Sequence, residues 1–337
     1  MDITVIWAFL IATAVFLYVV LDGFDLGVGI LFPALQRGHQ RDTAMNSVAP
    51  VWDGNETWLV LGGGGLFAAF PLAYAIIMPA LYAPIIAMLL GLVLRGVSFE
   101  FRWRDPRHER FWDFAFAGGS LVAALAQGVA LGALLQGIPV EGRAYAGGWW
   151  DWLSPFSLLT GVSVAAGYAS LGACWLVTKT EGNLRDRALA LARPLALVTV
   201  GAIVAVSAAT PFLQYAYFER WLQAPGIFYV APVPVLVAVL TVLLWRALGR
   251  ARKWGGHDTA PFVLALGLFA LTFVGLGISM WPYIIPDSVT IWQAATERRS
   301  QVFMLVGIGV MLPIILAYTG YAYWVFRGKV RGGGYHS

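Results

Sequence analysis

The chain has 337 residues, of which 59% are hydrophobic and only 12% are charged, and its mean hydropathy is +0.73. Soluble domains carry about 25% charged residues, so this composition excludes a soluble enzyme, and its apolarity excludes a disordered protein. The net charge of +4 does not by itself indicate nucleic-acid binding, because basic residues also collect in the cytoplasmic loops of membrane proteins.

Nine apolar segments are long enough to cross a bilayer, which takes about 20 residues. We therefore expect an all-α integral membrane protein with nine transmembrane helices. The connections are short, so residues 1–337 form a single membrane domain in this prediction. The predicted spans are 4–31, 54–76, 79–99, 111–136, 155–178, 189–212, 228–248, 259–283 and 301–326.

The distribution of basic residues gives this arrangement a direction. With nine spans, 18 of the 22 Lys and Arg residues fall on one side of the membrane. The positive-inside rule makes that side cytoplasmic, which places the N-terminus in the periplasm and the C-terminus in the cytoplasm. The 18 residues are spread over five separate connections, so we expect no nucleic-acid partner.

Two carboxylates, Asp22 and Asp25, lie inside the first predicted span and share one helix face because they are three residues apart. Carboxylates in a membrane are costly and face protein or water. Gly23 and Gly27 permit close approach of another helix. The two carboxylates either hydrogen-bond to that helix and fix its packing, or carry protons or compensate charge.

Asp53 and Glu56 lie where the second predicted span begins. Their spacing is that of a capping box, in which Asp53 would be the N-cap, although the density of polar groups there also favours a chemical role. Four consecutive glycines follow at 62–65, and each weakens a helix by about 1 kcal/mol relative to Ala. We expect tight helix packing, or the close approach of another group, there as compensation.

Arg95 and Glu100 lie near the cytoplasmic end of the third predicted span. The simplest expectation for Arg95 is that its side chain extends along the helix to the lipid headgroups. In this topology Asp22, Asp25, Asp53 and Glu100 all belong to the cytoplasmic half of the protein. Carboxyls gathered on that side could collect protons for a site deeper in the membrane.

Histidines are absent from every predicted span, since all four lie in connections or in the C-terminal tail. A haem in a membrane protein is usually held by at least one buried His, and the chain has no metal-ligand spacing. We therefore expect this chain alone to bind neither haem nor metal.

Several motifs, in order along the whole chain, closely resemble subunit II of cytochrome bd-type quinol oxidases. The compact length is similar to that of the cyanide-insensitive branch. The motifs are Asp22-Gly-Phe-Asp-Leu-Gly-Val-Gly29, Ala49-Pro-Val-Trp-Asp-Gly-Asn-Glu-Thr-Trp-Leu59, Gly64-Gly-Leu-Phe-Ala-Ala-Phe-Pro71, Arg95-Gly-Val-Ser-Phe-Glu-Phe-Arg102, Leu135-Gln-Gly137, Pro155-Phe-Ser-Leu-Leu-Thr-Gly161 and Pro313-Ile-Ile-Leu-Ala-Tyr-Thr319.

The resemblance implies two four-helix bundles plus one peripheral helix in the bacterial inner membrane. It implies a homologous partner, subunit I, that carries haems b558, b595 and d and the quinol site, in a complex that reduces O2 to water with cytoplasmic protons. Some members add a small single-span subunit or a structural quinone. In the family, the position of Asp53 is assigned to the proton path, and that of Glu100 is linked to it.

A different class of function fits the same intramembrane carboxylates. A proton-coupled secondary transporter could use Asp22 and Asp25, and it would act without a haem-bearing partner.

Overall fold

Long helices dominate the fold, because a backbone in lipid must satisfy its hydrogen bonds within its own segment. The computed structural model describes residues 2–254 and 258–330. The long helices are α1 (Ile3–Leu31), α3 (Trp52–Ala69), α5 (Tyr82–Arg104), α6 (Glu109–Leu135), α7 (Pro155–Lys179), α8 (Gly182–Ala209), α11 (Pro232–Trp254), α12 (Ala260–Met280) and α14 (Arg298–Val325).

Short elements connect or extend these helices. Two hairpins are antiparallel and pair Val140 with Tyr145 and Tyr283 with Thr290. The short elements are α2 (His39–Val48), α4 (Pro71–Ala80), α9 (Tyr215–Leu222), α10 (Gly226–Val230), α13 (Ile291–Ala294), β1 (Val140–Glu141), β2 (Ala144–Tyr145), β3 (Tyr283–Ile285) and β4 (Val289–Thr290).

Within the described residues, eight helices are long and apolar enough to cross a membrane, and they coincide with eight of the nine predicted spans. A continuous helix over 54–76 is wrong, because the chain leaves helical geometry at Phe70 (φ −130°, ψ 59°) and α4 starts at Pro71. Proline has no amide hydrogen and cannot continue the preceding helix. A second break at Leu81 delays α5 to Tyr82, so the predicted start of the next span at 79 is also too early.

The polar connections 32–51, 105–108, 180–181 and 326–330 lie together at one end of the helices, called here the basic end. Contacts between distant parts of the sequence bring them together. Arg102 donates to Asp42, Arg187 to the carbonyl of Ala34, and Lys179 to the carbonyl of Phe326.

Helix α1 is central and packs against α3, α6 and α7. The expected close approach at its glycines is confirmed. A Cβ built at Gly27 would lie 1.8 Å from the carbonyl oxygen of Tyr168, and one at Gly29 would lie 2.1 Å from Oγ of Ser120. The backbones of α1 and α7 are therefore in direct contact, as small residues permit in membranes.

The glycine run 62–65 divides into two faces. Gly62 and Gly65 pack against Val15 and Ile11 of α1, whereas a Cβ at Gly63 or Gly64 would meet nothing within 4 Å. The expected tight packing is therefore confirmed for half of the run. The other half leaves a bare strip of backbone on the outer face of α3.

The contact between α1 and α7 gives a stability prediction. Gly27→Ala forces the two backbones apart, and overpacking of this kind costs about 1–3 kcal/mol. We expect a lower thermal unfolding midpoint for the detergent-solubilised protein. Gly201→Ala on α8 is the control, because a Cβ there meets nothing within 4 Å. Equal midpoints for the two variants would contradict the packing.

Candidate functional site

A cluster of ionisable side chains is buried between α1, α3 and α5. Asp22 and Arg95 are each 0% exposed, and Asp25 is 1% exposed. Nη1 of Arg95 donates to Oδ1 of Asp22, and its Nη2 donates to Oε2 of Glu56 at 2.7 Å. The guanidinium thus joins the first helix to the third and fifth, and the expectation that Arg95 reaches the headgroups is wrong.

The physical reason is the cost of a buried charge. A carboxylate inside a membrane protein is stable only with a close partner, and a two-pronged guanidinium satisfies two carboxylates at once. The indole of Trp52 covers the cluster, since Cζ of Arg95 lies 5.6 Å from its ring centre and the same ring stacks on Phe99 at 4.7 Å.

Asp25 has a separate set of partners. Nδ2 of Asn55 donates to Oδ2 of Asp25 at 2.7 Å, and the Tyr323 hydroxyl donates to Oδ1 of Asn55 at 2.9 Å. Asn55 therefore links α1 to α14, a helix almost 300 residues later in the chain. The hydrogen-bonded oxygen of Asp25, Oδ2, therefore faces a neutral amide and not a cation.

Three polar atoms of the cluster have no hydrogen-bond partner among the described residues. They are Oδ2 of Asp22, Oδ1 of Asp25 and Nε of Arg95. Buried polar atoms are nearly always paired, with protein or with water. The two free oxygens can therefore accept hydrogen bonds from water or hold a proton.

A neutral hydrogen-bonded chain continues from this cluster toward the middle of the membrane. Tyr18 lies one turn before Asp22 on the same face of α1, and its hydroxyl interacts electrostatically with that carboxylate. Nε2 of Gln127 donates to the Tyr18 hydroxyl at 2.6 Å, and the Tyr168 hydroxyl donates to Oε1 of Gln127 at 2.7 Å. The polar interior thus spans α1, α6 and α7.

Asp53 and Glu100 lie outside the buried cluster. Both are exposed, and Glu100 pairs with Arg104 on its own helix at 3.2 Å. The capping interpretation of Asp53 is wrong, because α3 begins at Trp52 and no side chain caps it. Asp53 therefore occupies the first turn, where the helix dipole favours a negative charge.

Glu56 also does not complete a capping box. It lies one turn beyond Asp53 on α3, and its carboxylate, 28% exposed, binds Arg95 instead. Of the five sequence-predicted carboxylates, the structure brings Asp22, Asp25 and Glu56 together and leaves Asp53 and Glu100 at the rim.

A second network of ion pairs joins α2, α5 and α6 at the basic end. Arg102 donates to Asp113 at 2.7 Å, to Asp42 at 2.8 Å and to Glu109 at 2.8 Å. Arg41 donates to the other oxygen of Asp113 at 2.5 Å. These pairs hold α2 and α6 against the end of α5. Arg95 lies two turns before Arg102 on the same helix.

One signal in the sequence could have indicated the partner of Arg95. Asp22 lies nine residues before the end of α1 at Leu31, and Arg95 lies nine residues before the end of α5 at Arg104. Both helices end at the basic end, so the two groups lie at the same depth, about 13 Å from their helix ends at 1.5 Å per residue.

Two of the four histidines lie within the described residues. His39 and His108 are exposed at the basic end, and His257 and His336 lie outside the described residues. None of the long helices of the described residues, with the bounds given above, contains a histidine that could bind a haem iron.

The sequence pattern of the family described as cytochrome bd terminal oxidase subunit II matches residues 3–326. The chain belongs to this family. As a bd oxidase subunit II it is a multi-pass membrane protein and a part of a quinol:O2 oxidoreductase. The alternative of a secondary transporter receives no support from these comparisons.

Similar proteins are also described as cytochrome bd oxidase subunits or come from a bd oxidase structure. Subunit 2 of cytochrome bd-I ubiquinol oxidase from Escherichia coli K12 is 33% identical over 360 residues, covering 96% of this chain and 94% of the relative. Subunit 2 of the cytochrome bd ubiquinol oxidase of Bacillus subtilis is 29% identical over 340 residues, covering 96% of each chain. A chain of the bd oxidase structure from Geobacillus thermodenitrificans shares the fold, with a TM-score of 0.76, 20% identity and coverage of 96% and 99%.

The buried ion pair between Arg95 and Asp22 predicts how stable the folded subunit II is when Arg95 is replaced. Arg95→Gln leaves Asp22 and Glu56 without their cation, and removal of one partner of a buried pair costs about 3–5 kcal/mol. We expect a strongly reduced yield of folded protein and a lower unfolding midpoint. The matched control on the same helix is Arg104→Gln, whose exposed pair with Glu100 is worth about 0.3–0.5 kcal/mol. If Arg95→Gln were as stable as Arg104→Gln, the pair would not anchor the helices.

Proposed function

We propose that this haem-free subunit II supplies a proton path from the cytoplasm to the interior of a bd-type quinol oxidase. The observation that carries the proposal is the graded exposure of three carboxylates, the inner two of which share one guanidinium. Asp53 is exposed, Glu56 is 28% exposed, and Asp22 is 0% exposed, while Arg95 binds the last two. A proton entering at the rim has acceptors at each depth.

The charge balance of the cluster supports the same proposal. Three carboxyls, those of Asp22, Asp25 and Glu56, surround one guanidinium among the described residues. A buried cluster with more carboxyls than cations limits its net charge by binding protons. The free oxygens of Asp22 and Asp25 are the atoms that we expect to hold them.

The topology that we propose makes the basic end cytoplasmic, following the positive-inside rule. Helices α3 and α4 together form one broken crossing, which brings the total to nine, with the N-terminus in the periplasm. In this arrangement α1, α3–α4, α5 and α6 form one bundle and α7, α8, α11 and α12 the other. Helix α14 is peripheral, since Gln301 is its one buried residue.

The outer face of α3 is the surface that we propose for subunit I. Val60 is 71% exposed and Phe67 60% exposed, and the bare backbone of Gly63 and Gly64 lies between them. Small residues on a lipid-facing helix let another helix approach closely. Asp53 lies on the same face, three turns before Gly64, so a partner docked here would cover the rim of the path.

In the proposed complex, subunit I holds haems b558, b595 and d and oxidises quinol in the bacterial inner membrane. The haems supply the electron transfer and the reduction of O2. The residues of this chain bind protons at Asp22 and Asp25. Arg95 keeps Asp22 in place, and Asn55 keeps Asp25 in place. Apolar side chains and the ring of Trp52 exclude bulk water from them.

The proton path predicts a loss of turnover without a loss of assembly. Asp25→Asn retains the hydrogen-bonding shape but cannot ionise, and Asp53→Asn removes the rim carboxyl. We expect both to lower quinol-dependent O2 uptake per assembled complex by about 100-fold or more, since a positioned proton-transfer group usually contributes at least about that much. Asp53→Glu should recover part of the activity, because it keeps the carboxyl.

The control for this experiment is Asp186→Asn, which neutralises an exposed carboxylate at the same end of the protein. It should leave O2 uptake unchanged. Wild-type turnover in well-assembled Asp25→Asn and Asp53→Asn complexes would contradict the path.

The proposed interface predicts a selective effect of bulk on α3. Gly64→Leu places a side chain on the bare strip without touching the rest of this chain. We expect subunit I to co-purify in smaller amounts, while the variant subunit itself stays folded. Gly201→Leu on α8 adds the same bulk at another open position. Equal recovery of subunit I with both variants would rule out this face.

A further inference from the structure

The last described residues, 326–330, extend from α14 across the end of α7. We call this segment the clasp. The backbone amide of Val330 donates to the carbonyl of Lys179 at 2.8 Å, and Nζ of Lys179 donates to the carbonyl of Phe326. The clasp and the end of α7 therefore hold each other through both backbone and side-chain bonds.

Lys329 makes half of the hydrogen bonds that join the clasp to the described residues outside α14. Its Nζ donates to the carbonyls of Val177 at 3.1 Å and Thr180 at 2.9 Å, and to Oδ2 of Asp258 at 2.7 Å. Three acceptors satisfy the three hydrogens of an ammonium group. Asp258 is also bound by Arg185 at 2.6 Å, so Lys329 enters a site that α8 has already fixed.

The clasp is stable at neutral pH. Partial burial raises the pKa of Asp258, but hydrogen bonds from Arg185 and Lys329 outweigh it and hold that pKa below its ordinary value. A group with a lowered pKa stays ionised, and its contribution is lost only as the pH falls through that lowered value. The ion pair between Lys329 and Asp258 therefore persists in the cytoplasmic pH range.

Helix α14 buries few side chains against the rest of the described residues, so contacts at its ends contribute much of its attachment. Gln301, near its start, is its one buried residue, and its side chain contacts Thr4 of α1. At the other end, Tyr323 reaches into the protein and donates to Asn55, the partner of Asp25. The clasp begins three residues after Tyr323.

A second route joins the clasp to Tyr323. Nζ of Lys179 lies 4.8 Å from the ring centre of Trp175, and the ring of Trp175 meets the ring of Tyr323 edge to face at 6.4 Å. The clasp thus fixes Tyr323 both along the chain and through the side chains of α7.

We propose that the clasp, through Lys329, positions the Tyr323 hydroxyl on Asn55 and thereby fixes the hydrogen bond that Asn55 gives to Asp25. Lys329 and Tyr323 are positioning residues in this scheme, because neither touches the reacting groups. The inference rests on the proposed proton path through Asp25, and it adds that the far end of the chain sets the geometry of that path.

The test uses the purified two-subunit oxidase with Lys329→Met, Tyr323→Phe and the double variant. Each single change should lower kcat for O2 uptake per assembled complex by about two- to tenfold, the value of one neutral hydrogen bond, without changing KM for quinol. Because both changes break the same linkage, the double variant should be no slower than Tyr323→Phe alone. Effects that multiply in the double variant would overturn the proposal.

Arg327→Met is the matched control. Arg327 carries the same charge two residues earlier, but its guanidinium contacts only Trp324 of its own helix. It should keep wild-type turnover and amide hydrogen exchange at 320–326, whereas Lys329→Met should exchange faster there. Equal exchange in the two variants would show that Lys329 does not hold α14.

Asp25→Asn, measured in parallel, separates the two proposals. Full activity of Asp25→Asn would contradict the proton path itself, whatever the exchange data show. Reduced activity of Asp25→Asn together with wild-type turnover of Tyr323→Phe and Lys329→Met would leave the path standing and refute the clasp.

Discussion

The ion pair between Arg95 and Asp22 is the constraint on which the rest of this structure depends. Both side chains are completely buried, and a charged group in that position is stable only if its partner arrives with good geometry. Glycines make this possible, because Gly27 and Gly29 bring α7 and α6 close to α1. Gly91 and Gly119 in turn bring α5 into backbone contact with α6, so that Arg95 reaches Asp22. The ion network of Arg102 and Arg41 then fixes the end of α5.

The same pair organises the chemistry that we propose. Arg95 binds Asp22 on one side and Glu56 on the other, so it connects a buried carboxyl to one that is partly open to solvent. Asp25 stays outside this pairing and contacts the neutral amide of Asn55. The cluster therefore combines a carboxylate that is held by a cation with one that, in the path we propose, exchanges a proton.

Much of the fold could be predicted from the sequence, because bilayer thickness imposes a length on apolar segments. Eight spans and the close approach at Gly27 follow from such local rules. The break at Phe70 was missed because the apolar run continues through Pro71, and hydropathy does not register a lost amide hydrogen. The spacing of Asp53 and Glu56 fits a capping box, but this one of the two roles open to Asp53 is wrong, because α3 starts at Trp52, one residue before Asp53.

The site was predictable only in part, because its partners come from distant helices. Asp22 and Asp25 were evident as charges in an apolar segment. Their partners are Arg95 and Asn55, and Asn55 in turn accepts a hydrogen bond from Tyr323. Which helices meet, and at what depth, decides these contacts, and no local sequence pattern gives that information. The equal distances of Asp22 and Arg95 from their helix ends become informative only once both helices are known to end on the same side.

The central claim is that Asp22 and Asp25 bind and release protons while the oxidase turns over. Infrared difference spectroscopy of the complex, with isotope-labelled aspartate, measures this directly. We predict a carboxyl band that changes between the reduced and oxidised enzyme, shifts with the label, and disappears in Asp25→Asn but not in Asp186→Asn. An unchanged set of carboxyl bands in Asp25→Asn and Asp22→Asn would show that these groups only hold the helices together, and would contradict the account.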